Sequence, residues 1–536
     1  MLSAEKNTVA GVAGSTLIAL GAFGAGATLR HDPVLSGTVL DAGRYGHGRT
    51  IATAVVYLGL ALLLVAWVRL GQSTRDGRDG AREVARAVWA WSAPLLLAPP
   101  LLSTDLYHYL AQGLVASEGH DPYTTVPAEL SGPIVDNAGG QWQAVPSPYG
   151  PLFILLMKGV VAATGSPLPA ALLARLVLVT GLALLCRALP ALCRHLGARP
   201  ERALWIGAAN PLVLLHLMSG AHNDLLMIGL LAAGTALVLD RAPVRGFALV
   251  ALAAAVKATA AVALPFLVWV WAAHLARHGK PRWRGFTRAT AAGLSTVVVV
   301  FGLCTVLAGV DLGWIRTMGG NAVLDPLLSV PTALGRLTGL FVDIGLTGFR
   351  LAGWIALGGI VAWLWWRARA GGAVAVRCAA AALLATALLT PVSLPWYLTW
   401  PLALGAAIPW RPSLVAVAAA FSAWLVLSSY LDGKTPLPPW GFGVMAVVSA
   451  SIGLLVRGNA VKGYAARKFA TVSVNSAGES SHGKCPPPAC VTMRAAGNSP
   501  ASSASAHGGP DRSSSPASTS TGTATEGSAA RVVAGE

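Results

Sequence analysis

The stretch "ATAAGLSTVVVVFGLCTVLAG", residues 289–309, carries no charged side chain and is apolar on every face. A bilayer core of about 30 Å is crossed by roughly 20 helical residues, and a backbone in lipid must satisfy its own hydrogen bonds. A membrane β-strand would be shorter and would alternate polar with apolar positions. This run does neither, so it reads as a membrane-spanning helix, and "GLLAAGTALVL" (229–239) repeats the pattern. Of 536 residues, 54% are hydrophobic and only 11% charged. Apolar stretches fall at 8–29, 50–70, 86–102, 168–189, 202–219, 223–240, 246–256, 258–276, 287–309, 349–367, 375–391, 396–410, 412–430 and 439–456. The sequence predicts an all-α, polytopic integral membrane protein with about fourteen transmembrane helices.

The formal net charge is +17, but the basic residues lie in short clusters between apolar runs, and no nucleic-acid-binding motif accompanies them. Nucleic acid is therefore excluded as a partner, and the clusters read as topology signals. Those at Arg75/Arg78/Arg82/Arg86, Arg194/Arg199/Arg202, Arg241/Arg245, Arg277/Lys280/Arg282/Arg284/Arg288, Arg367/Arg369/Arg377 and Arg457/Lys462/Arg467/Lys468 are expected inside. This orientation puts a multi-pass protein in the plasma membrane with both termini cytoplasmic. The first 30 residues show no cleavage site and read as a retained span. The run 246–276 is flanked by basic clusters at both ends, so two short helices broken near Lys257 are expected instead of one crossing. The segment 151–165 is too short to cross and is read as interfacial or re-entrant.

Four regions follow: 1–102, N-terminal transmembrane helices; 103–166, a large external loop with interfacial helices; 167–458, a transmembrane core with a second external loop at 310–348; and 459–536. The last is rich in Ser, Ala, Gly and Pro and is expected to be a disordered cytoplasmic tail. Its "CPPPAC" (485–490) lacks zinc-ligand spacing, and the six cysteines are too scattered for a disulfide framework. Asp32, Asp41, Asp105, Glu118, Asp121, Glu129, Asp136, Asp224, Asp311, Asp325, Asp343 and Asp432 all fall on the external side of this topology.

The external segment "STDLYHYLAQGLVASEGHDPY" (103–123) holds the densest set of titratable groups. As a helix it puts Asp105, His108, Tyr109 and Gln112 on one face, with Leu106, Leu110 and Leu114 opposite. That pattern fits an amphipathic helix in the outer interface with its polar side toward a cavity. A helix cap at Thr104 or Asp105 explains the same residues equally well. Asp121, Tyr123, Trp142 and Tyr149 lie in Pro-rich turns where aromatic rings and polar groups suit sugar recognition, or a structural aromatic belt. His222, Asn223 and Asp224 sit at a tight external turn, again as site or as cap, and "TPVSLPWYLTWP" (390–401) adds Trp396, Tyr397 and Trp400. Lys257 is a lone cation at membrane depth, for which a lipid phosphate is one partner and snorkelling the ordinary alternative. Arg316 in "GWIRTMGGN" (313–321) is a second phosphate candidate and Arg175 a third.

Several chemistries are excluded. "GKT" (433–435) lacks the upstream glycine of a P-loop, and "GAFGAGAT" (21–28) lies inside a span. No D-x-D occurs, so a nucleotide-sugar donor is disfavoured; no cofactor is implied, and a divalent metal finds no support in the residues. A lipid-linked-saccharide transporter stays open, because broken helices with a midspan charge also describe that class.

Five motifs now stand together: "TDLYHYLAQGLVASEGHDPY" (104–123), "SPYGPLF" (147–153), "NPLVLLHLMSGAHNDLLM" (210–227), "VKATAAVALPF" (256–266) and "LTPVSLPWYLTWPLALG" (389–405). In this order they resemble the actinobacterial polyprenol-phosphate-mannose-dependent alpha-1,6-mannosyltransferases of the GT-C superfamily, over roughly residues 10–456. The resemblance implies a GT-C type helical bundle with external juxtamembrane loops. It implies mannose transfer from polyprenyl phosphate to the mannan of lipomannan and lipoarabinomannan, with an external active site. By the same resemblance Asp105 takes the place of the catalytic carboxylate. Read from the residues themselves, Tyr107, His108, Tyr109, Gln112, Asp121, Tyr123, Trp142, Tyr149, His222, Asn223, Asp224, Lys257, Arg316, Trp396 and Tyr397 are the candidate substrate-binding residues. The implied partners are the lipid-borne donor, a mannan or lipoglycan acceptor and membrane lipid. Another donor sugar, arabinose or glucose, is the alternative within the class.

Overall fold

The computed structural model describes residues 2–276, 281–317, 328–342, 345–429, 431 and 440–458, the side chains of 2–4 and 141 excepted. The tail 459–536 with its cysteine motif, Asp325, Asp343, Asp432, Arg277, Lys280 and the 433–435 tripeptide lie outside the described residues. Every regular element among the described residues is helical.

Eight helices there are long and apolar enough to cross a membrane: Glu5–Ala25, Gly46–Arg75, Pro167–Leu196, Ala258–Ala276, Arg282–Ala308, Leu346–Ala370, Gly372–Leu389 and Trp440–Gly458. A ninth is made if Leu212–Ser219 and Asp224–Leu239, bent by 119°, form one span. Where the sequence reading expects about fourteen crossings, the difference lies in shorter pieces. Ala81–Leu97 has 17 residues, Pro200–Gly207 has 8, Pro243–Val256 has 14, Thr399–Gly405 has 7 and Pro412–Leu427 has 16. Prolines punctuate these pieces, because a residue without an N–H starts a helix well and continues one badly. The apolar run 202–219, which reads as one span, is split before Pro211.

The break expected near Lys257 is present. Helix Pro243–Val256 stops at Lys257, whose φ of −148° and ψ of 121° are extended, and a 3₁₀ turn, Ala258–Ala263, leads into Leu264–Ala276. The rings of Phe247 and Trp271, on opposite limbs, are 5.5 Å apart. The limbs therefore run side by side as a hairpin with Lys257 at its tip.

Basic segments remote in sequence meet at one end of the bundle. Arg75 donates to the carbonyl of Val456 (3.2 Å), Arg199 to that of Thr74 (3.0 Å) and Arg377 to that of Leu196 (3.5 Å). Small residues let the backbones close up: a Cβ on Gly229 would lie 2.1 Å from the carbonyl of Gly181. Such contact is the usual basis of helix association in lipid, where apolar burial gives little driving force between helices. It clamps Asp224–Leu239 to Pro167–Leu196 and so fixes where the first turn of the former stands.

Candidate active site

The site is built from five short segments, and two of them are entered through strained backbone. Leu102 (φ 66°) and Ala221 (φ 55°) are non-glycine residues in the left-handed region, a conformation that surrounding contacts must hold and that clusters at functional sites. Leu102 precedes the turn into helix Asp105–Ser117, and Ala221 directly precedes His222.

At the start of that helix Thr104 makes no capping bond, and the Asp105 amide donates to Ser103 Oγ (3.0 Å). The Asp105 carboxylate is turned elsewhere: Oδ2 lies 3.2 Å from His222 Nδ1 and accepts from Tyr109 Oη at 3.4 Å. The capping alternative is thus not realised, and the carboxylate keeps 14% exposure while the imidazole has none. Burial by itself pushes the Asp105 pKa up. The close approach and charge of His222, with His108 and Lys257 behind, outweigh it and hold the carboxyl below its ordinary value.

The polar face expected of this helix is present, but it is covered instead of open: His108, Tyr109 and Gln112 are buried. Gln112 Nε2 is 2.6 Å from His108 Nε2, and Ser147 Oγ donates to Gln112 Oε1 (2.8 Å). Thr317 Oγ1 in turn donates to the carbonyl of Ser147 (2.7 Å), which docks the 314–317 turn onto this network. The Trp142 ring stands 5.5 Å from that of His108. Burial lowers the His108 pKa to about 4, against the opposing pull of Asp105, so the ring is neutral at physiological pH.

The second half centres on Asp224, which is wholly buried. Its Oδ1 accepts from Trp400 Nε1 (2.6 Å) and from Lys257 Nζ (2.9 Å), and its Oδ2 accepts from the same ammonium at 2.8 Å. Lys257 is therefore not a lone cation: Asp224 supplies an anion from within the protein. The ammonium also stands 4.6 Å from the ring centre of Tyr397 and 5.4 Å from that of Trp400, cation–π contacts that add to the pair.

Aromatic rings join the halves. His222 stacks on Trp396 at 3.8 Å, and Tyr397 stacks on Trp400 at 4.1 Å. Tyr149 stands edge-on to Tyr109 (5.1 Å) and close to Phe153 (5.4 Å). Gly150 brings Tyr149 to the hairpin tip: its amide donates to the Val256 carbonyl (3.3 Å), and a Cβ there would be 2.3 Å from the carbonyl oxygen of Ala255. Asn223, at the position of a helix cap, makes no capping bond, and both atoms of its buried amide lack a hydrogen-bond partner, as do both ring nitrogens of His222. Buried polar groups left open in this way mark places where another molecule supplies the bond.

Several expected residues lie elsewhere. Tyr107 faces away from Asp105 and donates to the Ala27 carbonyl (2.6 Å), as its position two residues along a helix dictates. Asp121 accepts from the Tyr123 amide (3.0 Å) within its own turn, and Tyr123 packs with Ala116 and Ile154 in a separate cluster. Arg316 is 78% exposed and stands 3.5 Å from Asp311. Arg175 is consumed by the carbonyls of Leu95 (2.8 Å), Leu96 (2.9 Å) and Ser219 (2.6 Å), so it clamps backbone and is not a phosphate ligand. Trp400 was legible only as one aromatic among prolines; its i, i+4 spacing from Trp396 was the signal that both rings turn to one side. Among the described residues no group of three or more His, Cys, Asp or Glu side chains is placed to hold a metal ion.

Fold and site together define a polytopic helical membrane protein with a largely enclosed carboxylate, imidazole and ammonium site ringed by aromatics. The family model described as "Alpha-(1->6)-mannopyranosyltransferase, N-terminal domain" matches residues 8–273, and the "MptB C-terminal domain" model matches 328–457. The alpha-(1->6)-mannopyranosyltransferase A of Mycobacterium tuberculosis is 39% identical over 442 residues, covering 80% of this chain and 85% of its own length. That of Corynebacterium glutamicum is 32% identical over 467 residues, covering 81% and 94%. The chain belongs to the alpha-(1->6)-mannopyranosyltransferase family, and it is a mannosyltransferase. Trp396, Tyr397, Lys257, Asp224, His222 and Asp105, which come from four of the motifs that carried the resemblance, stand in one site.

Proposed function

We propose that the protein moves mannose from a polyprenyl-phosphate carrier to an alpha-1,6-mannan acceptor of the lipomannan and lipoarabinomannan type, by one inverting displacement on the external face of the plasma membrane. The observation that carries this reading is that an ionised Asp105 and the ammonium of Lys257, 14% and 15% exposed, stand in one aromatic-walled site. In the reaction Asp105 takes the proton of the acceptor hydroxyl as that oxygen bonds to the anomeric carbon, and the carrier phosphate leaves from the opposite face with the bonding electron pair. The phosphate is a weakly basic leaving group and needs a cation instead of an acid. Lys257, held by Asp224, supplies the fixed positive charge, with Arg316 at the outer surface as a second, exposed one. The open amide of Asn223 and the faces of Tyr149, Trp396 and Tyr397 suit sugar hydroxyls and C–H faces. The gathering of basic helix ends at the pole of Arg75, Arg199 and Arg377 supports a cytoplasmic assignment of that end and of both termini.

The test is transfer of radiolabelled mannose from a polyprenyl-phosphate donor to a short alpha-1,6-mannoside by membranes holding wild type or Asp105→Asn. Product from wild type alone is expected. Product from both would remove Asp105 from the chemistry, whereas donor bound without product in either would point to another sugar or to transport.

A further inference from the structure

His222 is the least expected member of the site. It is wholly buried, its ring is stacked 3.8 Å from Trp396 at 20°, and the residue before it is held in the left-handed region. Only one of its nitrogens faces a protein group, Nδ1, which stands 3.2 Å from Asp105 Oδ2. That approach is an ion-pair contact and not an aligned hydrogen bond, and the stacking and the turn together hold the imidazole edge against that oxygen. Tyr109 Oη approaches the same Oδ2 (3.4 Å), and among the described residues no hydrogen bond engages Oδ1.

The geometry points to His222 as the positioning residue of the transferase. Its imidazole edge, 3.2 Å from Asp105 Oδ2, limits the rotation of the carboxylate and leaves Oδ1 free to receive the acceptor proton. This inference rests on the reading of Asp105 as the base. His222 touches neither reacting atom; Trp396 sets its plane and Ala221 sets where it enters. A polar contact on one oxygen with the other unengaged suits a carboxylate base, because the contact at Oδ2 restricts the rotamer and favours the ionised form before substrate arrives. The groups that face Asp105 are His108 and Tyr109 on its own helix, His222 from the 219–223 turn, Lys257 from the hairpin tip, Tyr149 from the loop and Tyr397 from the 395–398 turn. Of these, His222 acts most strongly to keep the carboxyl ionised.

The experiment measures kcat and kcat/KM across pH on the purified full chain for wild type, His222→Phe, His222→Asn and Asp105→Asn. His222→Phe keeps the stack on Trp396 and removes the polar edge; His222→Asn restores a polar group near the position of Nδ1. His222→Phe is expected to lower kcat by up to about 100-fold with little change in donor KM, and to move the acid limb of kcat/KM upward by roughly one pH unit. His222→Asn is expected to recover part of kcat and to return the limb toward the wild-type position. A wild-type acid limb in His222→Phe, or equal losses in both variants with raised KM, would overturn the positioning role. Should His222→Phe fail to fold, the limb position in His222→Asn decides: displacement no smaller than that expected for the loss of the polar contact overturns the proposal, and a near-wild-type limb supports it. Activity retained in Asp105→Asn would instead overturn the base assignment itself, which separates the two failures.

Discussion

Lys257 donates to both carboxylate oxygens of Asp224, at 2.9 and 2.8 Å, although 33 residues and a chain reversal separate them. The pair joins the tip of a hairpin to the first turn of a helix, and Trp400, 176 residues from Asp224, adds a third donor to the same carboxylate. A buried carboxylate bonded three times is satisfied; one partner without the other is not.

Removing only one charge is therefore expected to cost more than removing both. Asp224→Leu should destabilise the fold by about 3–5 kcal/mol, because it leaves a largely enclosed ammonium uncompensated. The double variant Asp224→Leu with Lys257→Met should recover most of that stability while remaining inactive. Thermal unfolding of wild type, Asp224→Leu, Lys257→Met and the double variant in detergent gives the coupling term, and additive losses would sink this account.

His108 makes the fold sensitive to acid. Its folded pKa of about 4 lies below the ordinary 6.5, so between those values the unfolded chain binds the extra proton and stability falls as pH drops. From pH 6.5 to 5 the loss amounts to about 2 kcal/mol. His108→Asn should lose less over this window in melting experiments at the two pH values, and an identical pH slope in both proteins would contradict it. Asp105 behaves oppositely in position: its depressed pKa contributes stability above the unfolded value, lost only as pH falls through the lower folded one, so it adds nothing to the slope near pH 6.

Gly150 is expected to tolerate no side chain. A methyl group would meet the Ala255 carbonyl oxygen at 2.3 Å, and overpacking of this kind costs about 1–3 kcal/mol. Because the contact also places Tyr149 beside the hairpin tip, Gly150→Ala should lower transfer activity at temperatures where the protein is still folded. Wild-type activity with wild-type melting would show that the loop gives way freely.

Ala221→Gly addresses the strain beside His222. Glycine ordinarily weakens a buried, well-packed position, but at a φ of 55° it relieves a backbone penalty of about 1–2 kcal/mol. Stability is expected to be unchanged or raised by up to ~1 kcal/mol; a clear fall in melting temperature would mean that the turn is not strained.

The polar face of Asp105, His108, Tyr109 and Gln112 was legible because a 3.6-residue period is local. The same period sets Tyr107 on the far side, where the structure finds it bonded to Ala27. The break at Lys257 was legible from charge at both ends of one apolar run, since a single crossing would have put one cluster on the wrong side. The number of crossings was less so: composition marks what is apolar, but not where a proline ends a helix short of the bilayer thickness, as before Pro211 and at Pro243.

By itself the sequence determined that the chain lies in a membrane, where its helical segments run, and that Asp105 shares a face with a histidine and a tyrosine. Hydropathy and helical period depend only on residues a few positions apart. Only the tertiary structure decided that Lys257 meets Asp224, that His222 and no other imidazole turns its Nδ1 to Asp105, and that Arg175 is spent on carbonyls. These choices depend on glycine contacts such as Gly181 with Gly229 and Gly150 with Ala255, which set ångström-scale approach between remote segments, and no local pattern encodes that distance.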